Sequence, residues 1–237
     1  MEKVTMPPIQ AEAYKAAVME AAEDRSKMLQ ALQKFRNISL HPLKPSTTSF
    51  DQYIAQSARL TACFKILDQI HSLREKALIF LESLEMQSAI AVWIQIRYRL
   101  NLRPHLINGT IDGGRRQTLV NAFQEAENAF AVMILSPRAG GVGLTLTAAN
   151  HVIHLSRWWN PAVEDQCTDR VYRIGQLRPV HIYYPLAVHP DPKISDHSFD
   201  LSLNNLLENK RALSREMLLP PEDLDKDTKS LYSEIVR

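Results

Sequence analysis

Ala131–Leu135 reads AVMIL, five apolar residues in a row, and stops at Ser136-Pro137. A run that short and that uniform fits a strand buried on both faces, because a half-exposed strand would alternate. Proline cannot donate to a sheet ladder, so the strand ends there. Lys76–Leu81 (KALIFL) is a buried strand by its length and flanks, and His151–Leu155 reads as another. Arg103–Ile107 and Val180–Leu186 supply two more candidates. Helical patterns lie between them: Glu85–Leu100, Gly113–Gln124 with Leu119, Val120 and Phe123 turned inward, and a helix opened by Asn160-Pro161. Asparagine suits the N-cap and proline the first helical position. Strands alternating with helices imply an α/β fold, a parallel sheet with helices on both faces and right-handed crossovers.

The seven glycines all fall between Gly109 and Gly175, and Gly140, Gly141 and Gly143 sit together after the AVMIL run. Glycine permits close backbone approaches that side chains forbid. On the helix after Asn160-Pro161, Val163, Cys167, Val171 and Ile174 are spaced as an apolar stripe for the core. Gln166, Arg170 and Arg173 form a polar stripe beside it. Two arginines on one face near a glycine-rich loop suit phosphate binding. A solvated face with surface arginines accounts for the spacing equally well.

Ser136-Pro137-Arg138-Ala139-Gly140-Gly141-Val142-Gly143-Leu144 resembles motif V of Swi/Snf-type DNA translocases, a branch of the superfamily-two helicases. Gln166-Cys167-Thr168-Asp169-Arg170-Val171-Tyr172-Arg173-Ile174-Gly175-Gln176 resembles their motif VI. The H-R-x-G-R-x-x-R of DEAD-box RNA helicases is absent. Trp158-Trp159-Asn160-Pro161 completes the match in a bacterial or archaeal style, and Lys76–Leu81 is similar to motif IV. The resemblance implies a RecA-like lobe, and it runs from about Met6 to Met217, with Met6, Gln10 and Tyr14 opening the approach and His41-Pro42 at a usual family position.

By that resemblance, ATP sits in a cleft between two lobes. Arg170 and Arg173 match the arginines that reach across to its phosphates and act as arginine fingers. Gln166 helps orient that site, and Gly141 and Gly143 let the motif V loop run close to both ATP and DNA. Asn108-Gly109-Thr110 matches motif IVa, where a loop touches a DNA phosphate. Arg116-Gln117 matches an Arg-Gln pair, Ser136 and Arg138 fall where the family contacts the DNA backbone, and Trp159 matches a tryptophan that lies against DNA. Two positions depart from the pattern: Thr145 stands where asparagine is usual, and Asn150 where aspartate is common.

No G-x-x-x-x-G-K-S/T and no Asp-Glu pair of the Walker B kind occur in the sequence. Those groups hold ATP and Mg2+ in the family's first lobe. The expectation is therefore a second lobe alone, inactive by itself, whose partners are a first RecA-like lobe in cis or trans and duplex DNA. The rival readings are a lobe of a strand-separating helicase and a non-catalytic DNA- or protein-binding module.

A net charge of +2 excludes a polybasic nucleic-acid coat, so DNA contact must come from local placement. Cys63 and Cys167 give neither a disulfide framework nor metal-ligand spacing, which suits a reducing interior, and the resemblance implies a cytoplasmic, DNA-associated setting in a prokaryote. No apolar stretch is long enough to span a bilayer. The expected organisation is an N-terminal helical segment over 1–75, the lobe over 76–190 and a C-terminal helical extension over 191–237. Within these, Pro8–Arg36 and Phe50–Ser72 read as helices, with Ile54, Leu60, Cys63, Ile66, Leu67 and Ile70 buried. Phe199–Met217 reads as amphipathic and Leu218–Lys229 as extended.

Overall fold

The computed structural model describes residues 1–45, 49–126, 130–137, 143–215 and 224–236. The chain divides into two compact units, Cys63–Tyr184 and Met1–Ala62 with Pro185–Arg237. The division falls inside helix α4 (Ala58–Leu73).

The Cys63–Tyr184 unit is built on a five-stranded sheet in which every neighbouring pair runs parallel. Its strands are β2 (Lys76–Phe80), β3 (His105–Ile107), β4 (Ala131–Leu135), β5 (His151–His154) and β6 (His181–Tyr183), in the order β3-β4-β2-β5-β6. The central strands are the uniformly apolar ones, and β2 is buried along its whole length. Helices α5 (Leu84–Arg97), α6 (Gly113–Glu125) and α7 (Pro161–Thr168) connect the strands. Ser83, Asp112 and Asn160 cap their N-termini by accepting from Met86, Arg115 and Ala162 backbone amides. One face of the sheet packs Leu78, Phe80, Met133, Leu135 and Val152 against Val120 and Phe123 of α6 and Cys167 of α7. Residues alternate along a strand, so Ala77, Ile79, Val132, Ile134 and Ile153 point to the other face, where α5 buries Ile90, Ala91 and Ile94. This is the covered parallel α/β sheet that the apolar runs imply.

The other unit pairs β1 (Glu2–Thr5) with β7 (Pro185–Val188) in parallel, Glu2 opposite Pro185. Around them lie α1 (Pro8–Glu23), α2 (Met28–Leu40), α3 (Phe50–Ala55), the start of α4, the single turn α8 (Pro192–Ser195), α9 (Phe199–Arg215) and α10 (Leu224–Ile235). Buried polar groups tie these pieces together. The Gln10 amide donates to Ile38 and Ser39 carbonyls and accepts from the Ala58 amide, joining α1 to the end of α2 and the start of α4. Arg59 and Asp200 form a fully buried ion pair, and Asp200 also accepts from the Ala187 amide at 2.7 Å. Tyr14 accepts from the Phe199 amide, and burial pushes its hydroxyl well above the usual tyrosine value.

Several local expectations are corrected. The helical pattern over 8–36 is two helices, because the Asp24 side chain accepts from the Ser26 amide and starts a new turn. The pattern over 50–72 breaks at Gln56, where the Ser57 hydroxyl accepts from Leu60 to begin α4 and donates to the Leu40 carbonyl. The 180–186 strand is two strands in different sheets, β7 starting at Pro185, the one strand position where a missing amide costs least. Glu2–Thr5, too short and too polar to read as a strand, pairs with it. The stretch expected to be extended after 218 carries α10, whose Leu231, Tyr232 and Ile235 are buried.

Candidate functional site

Parallel strands deliver their loops to one edge, the carboxyl end of the sheet. Asn108, Gly109 and Thr110 follow β3, Ser136 follows β4, and 155–160 follow β5. One buried side chain ties the first two loops to β2. Gln87 of α5 donates from Nε2 to the Leu81 carbonyl at 2.6 Å and to Ser136 Oγ at 2.8 Å. Its Oε1 accepts from Asn108 Nδ2 at 3.3 Å. Asn108 Oδ1 in turn accepts from the Thr110 amide and hydroxyl at 3.1 and 2.6 Å. Asn108 and Ser136 are thus half-buried anchors, while Gly109 and Thr110 face solvent. Gln87 belongs to none of the motifs; its signal in the sequence is a polar residue on an otherwise apolar face of α5.

Arg116 is half buried, and its Nη2 donates to the Ile111 carbonyl at 2.9 Å, bracing the turn before its own helix. Arg138 and Gly141 lie outside the described residues. Trp159 is half buried in the turn between β5 and α7. That turn is held by Arg157 and Glu164, a forked ion pair with Nε–Oε1 2.7 Å and Nη2–Oε2 3.1 Å. Glu164 Oε1 also accepts from the Trp158 amide at 2.9 Å.

Motif VI departs from the helical reading. Helix α7 ends at Thr168, so 169–176 run as turns and the stripe drawn through Ile174 does not exist. Cys167 and Val171 are buried, but Ile174 is fully exposed. The two arginines do not share a face. Arg170 is 2% exposed, its Nε and Nη1 have no hydrogen-bond partner among the described residues, and burial pushes its guanidinium below the usual value. Arg173 is exposed. It donates from Nη1 to Thr145 Oγ1 at 3.2 Å and to the Gly143 carbonyl at 3.5 Å, which links motif VI to the end of motif V. Thr145, the departure from asparagine, keeps an acceptor at that position. Gln166 lies exposed one turn before Arg170. Gln176 closes the segment by donating to the Thr147, Ala149 and Val171 carbonyls, after a turn at Gly175 with φ +102.

Asn150, the other departure, is buried between β2 and β6: its amide donates to the Lys76 carbonyl and its carbonyl accepts from His181. Beside it His151 bridges Glu75 Oε2 at 2.5 Å and the Tyr183 hydroxyl at 3.1 Å, and burial holds the imidazole below its usual pKa. Among the described residues no group of three or more His, Cys, Asp or Glu side chains is arranged to hold a metal ion. None of the helices there is long and apolar enough to cross a membrane.

Comparison with known proteins adds independent findings. Residues 59–175 match the helicase conserved C-terminal domain. The Zorya protein ZorD of Escherichia coli O139:H28 is 38% identical over 205 residues, covering 83% of this chain and 18% of that protein. The putative ATP-dependent helicase/translocase YwqA of Bacillus subtilis is 34% identical over 194 residues, covering 81% of this chain and 20% of that protein. Among solved structures, the Sulfolobus solfataricus SWI2/SNF2 ATPase core domain superposes with a TM-score of 0.71 at 25% identity, over 98% of this chain and 47% of that one. The chain spans about a fifth of the length of the curated relatives it matches.

Proposed function

This chain belongs to the helicase conserved C-terminal domain family, as a RecA-like second lobe of the Swi/Snf type, and on that premise we propose that it is half of an ATP-dependent motor that tracks along duplex DNA. The first RecA-like lobe, in cis or in trans, holds ATP and Mg2+, and hydrolysis there drives the cleft open and shut. This lobe contributes charge to the phosphates from Arg173 and Arg170, and Gln166, Gly141 and Gly143 complete its expected nucleotide-binding residues. It grips the DNA backbone through Asn108, Gly109, Thr110, Ser136, Arg138 and Arg116, with Trp159 laid against the duplex. Without a phosphate-cradling loop the chain alone hydrolyses no ATP.

The observation that carries this reading is the link from Arg173 to Thr145 and Gly143. One side chain joins the segment expected at the nucleotide to the end of the loop expected at DNA, so movement of either is felt by the other. In the two-lobed protein, Arg173→Ala is expected to cut DNA-stimulated turnover by about a thousandfold or more while ATP affinity falls far less. Arg173→Lys fails nearly as badly, because lysine lacks the planar fork. Triplex displacement without strand displacement is the expected motor signature. Efficient strand displacement would instead make this a lobe of an unwinding helicase, and normal turnover in Arg173→Ala would remove the arginine-finger role.

A further inference from the structure

Two ion pairs among the described residues are fully buried, and they are not alike. Arg59–Asp200 joins α4, α9 and β7 inside the scaffold, with no candidate contact residue next to it in sequence. Arg157–Glu164 sits at both ends of the turn that carries Trp159. Both its side chains are about 1% exposed, the Arg157 guanidinium lies 4.3 Å from the centre of the Tyr184 ring, and Glu164 Oε1 spans the turn to accept from the Trp158 amide at 2.9 Å. The far end of the turn is fixed by Asn160, whose side chain accepts from the Ala162 amide at 2.9 Å.

Stability alone does not call for such a pair. Taking two charges out of water costs several kcal/mol per ion, and well-packed apolar residues of similar size hold a fold as well or better. An apolar pair cannot accept a backbone N–H at a fixed point, however, nor fix the direction in which the chain leaves β5. Burial alone would push the Glu164 carboxyl up, but Arg157, helped by His154 and the Trp158 amide, holds the carboxyl below its usual value, so the acceptor stays charged. The first turn of α7 favours the same charge.

We infer that Arg157 and Glu164 are positioning residues that clasp the 158–160 turn and set Trp159 in the attitude in which it meets DNA. This rests on the reading of Trp159 as a DNA contact. Breaking the clasp frees the Trp158 amide, lets the turn sample other conformations and weakens duplex binding without unfolding the sheet.

The test uses the chain labelled with 5-fluorotryptophan, its three tryptophan signals assigned by single Trp→Phe changes. The variants are the apolar pair Arg157→Met with Glu164→Leu, the milder Glu164→Gln, and Arg157→Lys. Melting temperature, the Trp159 fluorine signal and affinity for a labelled duplex are measured on each. The apolar pair is expected to melt close to the parent, to shift and broaden the Trp159 signal, and to lose about tenfold in duplex affinity, roughly the loss of one well-placed contact. Glu164→Gln keeps one acceptor oxygen and should fall between. Arg157→Lys should restore part of the affinity. In the apolar-pair background Trp159→Ala should add little further loss. An unmoved fluorine signal with parental affinity overturns the clasp. Unfolding of all three variants also overturns it, because the pair is then a structural support. A parent chain that binds duplex equally well with Trp159→Ala sinks the DNA reading of that tryptophan, a result distinct from an unmoved signal.

Discussion

Arg170 offers the sharpest test of the site, because its burial predicts an outcome opposite to that for a surface arginine. Its guanidinium is 2% exposed with Nε and Nη1 unpartnered among the described residues. A buried donor without an acceptor costs about 1–3 kcal/mol. Arg170→Met keeps most of the aliphatic stem and removes both orphaned donors and the charge. The expected change is a gain of about 2 kcal/mol in stability, taking each donor near the lower bound. For a chain of this size that is a rise of roughly 4 to 8 °C in melting temperature. Arg170→Ala also gives up about two buried methylenes, near 0.8 kcal/mol each, so its gain is largely cancelled. Arg173→Met, at an exposed position, should stay within about 0.5 kcal/mol of the parent. Urea unfolding of the chain followed by circular dichroism measures all three, with an unchanged denaturant slope as the control. In the two-lobed protein both methionine variants should lose turnover. An Arg170→Met chain destabilised by more than about 1 kcal/mol would refute the argument, for it would mean that the guanidinium is well partnered in the resting lobe.

Gln87→Ala should cost about 1–3 kcal/mol, since it strands the Leu81 carbonyl, Ser136 and Asn108 in a buried network, and should also weaken duplex binding; Thr110→Ala, at an exposed tip, should weaken binding with no change in melting temperature. Arg59→Ala leaves Asp200 buried without its partner and should destabilise the chain by about 3–5 kcal/mol in thermal denaturation. His151 and Glu75 both have depressed folded-state pKa values, so each binds protons more readily in the unfolded chain. Their stabilisation is complete above the ordinary histidine value and is lost as pH falls, first through His151 and then through Glu75. His151→Gln should therefore flatten the stability profile between neutral pH and about pH 5, and an unchanged slope would show that His151 does not drive it.

The sheet was legible because β2, β4 and β5 are buried on both faces, and only uninterrupted apolar runs satisfy that environment. The edge strands carried weaker signals: β6 is mostly exposed and β1 alternates through Glu2-Lys3-Val4-Thr5. The N-terminal helices were legible as helices but not as separate ones, since their breaks rest on single side chains, Asp24 and Ser57, bonding to nearby amides. The helical spacing drawn through motif VI fails for a different reason. Helical spacing from Val163 to Ile174 assumes a helix that continues, and α7 stops at Thr168, after which the Arg170 carbonyl is taken by Leu146. The polar Gln87 stands out on its apolar helix face, but neither its partners nor the Arg157–Glu164 clasp follow a local pattern, because the groups they join are far apart in the chain or become adjacent only when the turn forms.

The pairing of Glu2–Thr5 with Pro185–Val188 has a consequence for biosynthesis. The Cys63–Tyr184 unit is continuous in sequence, whereas the other unit is assembled from the Met1–Ala62 and Pro185–Arg237 segments. A ribosome adding about 5–20 residues per second needs on the order of ten to forty seconds to pass from β1 to β7. The five-stranded sheet can therefore close on itself during synthesis while β1, and the groups of α1 that later meet α9 and α10, wait for their mates. Tyr14 lacks the Phe199 amide and Ala21 the Tyr232 hydroxyl throughout that interval, and this stretch is where a nascent-chain chaperone would find its longest-lived target.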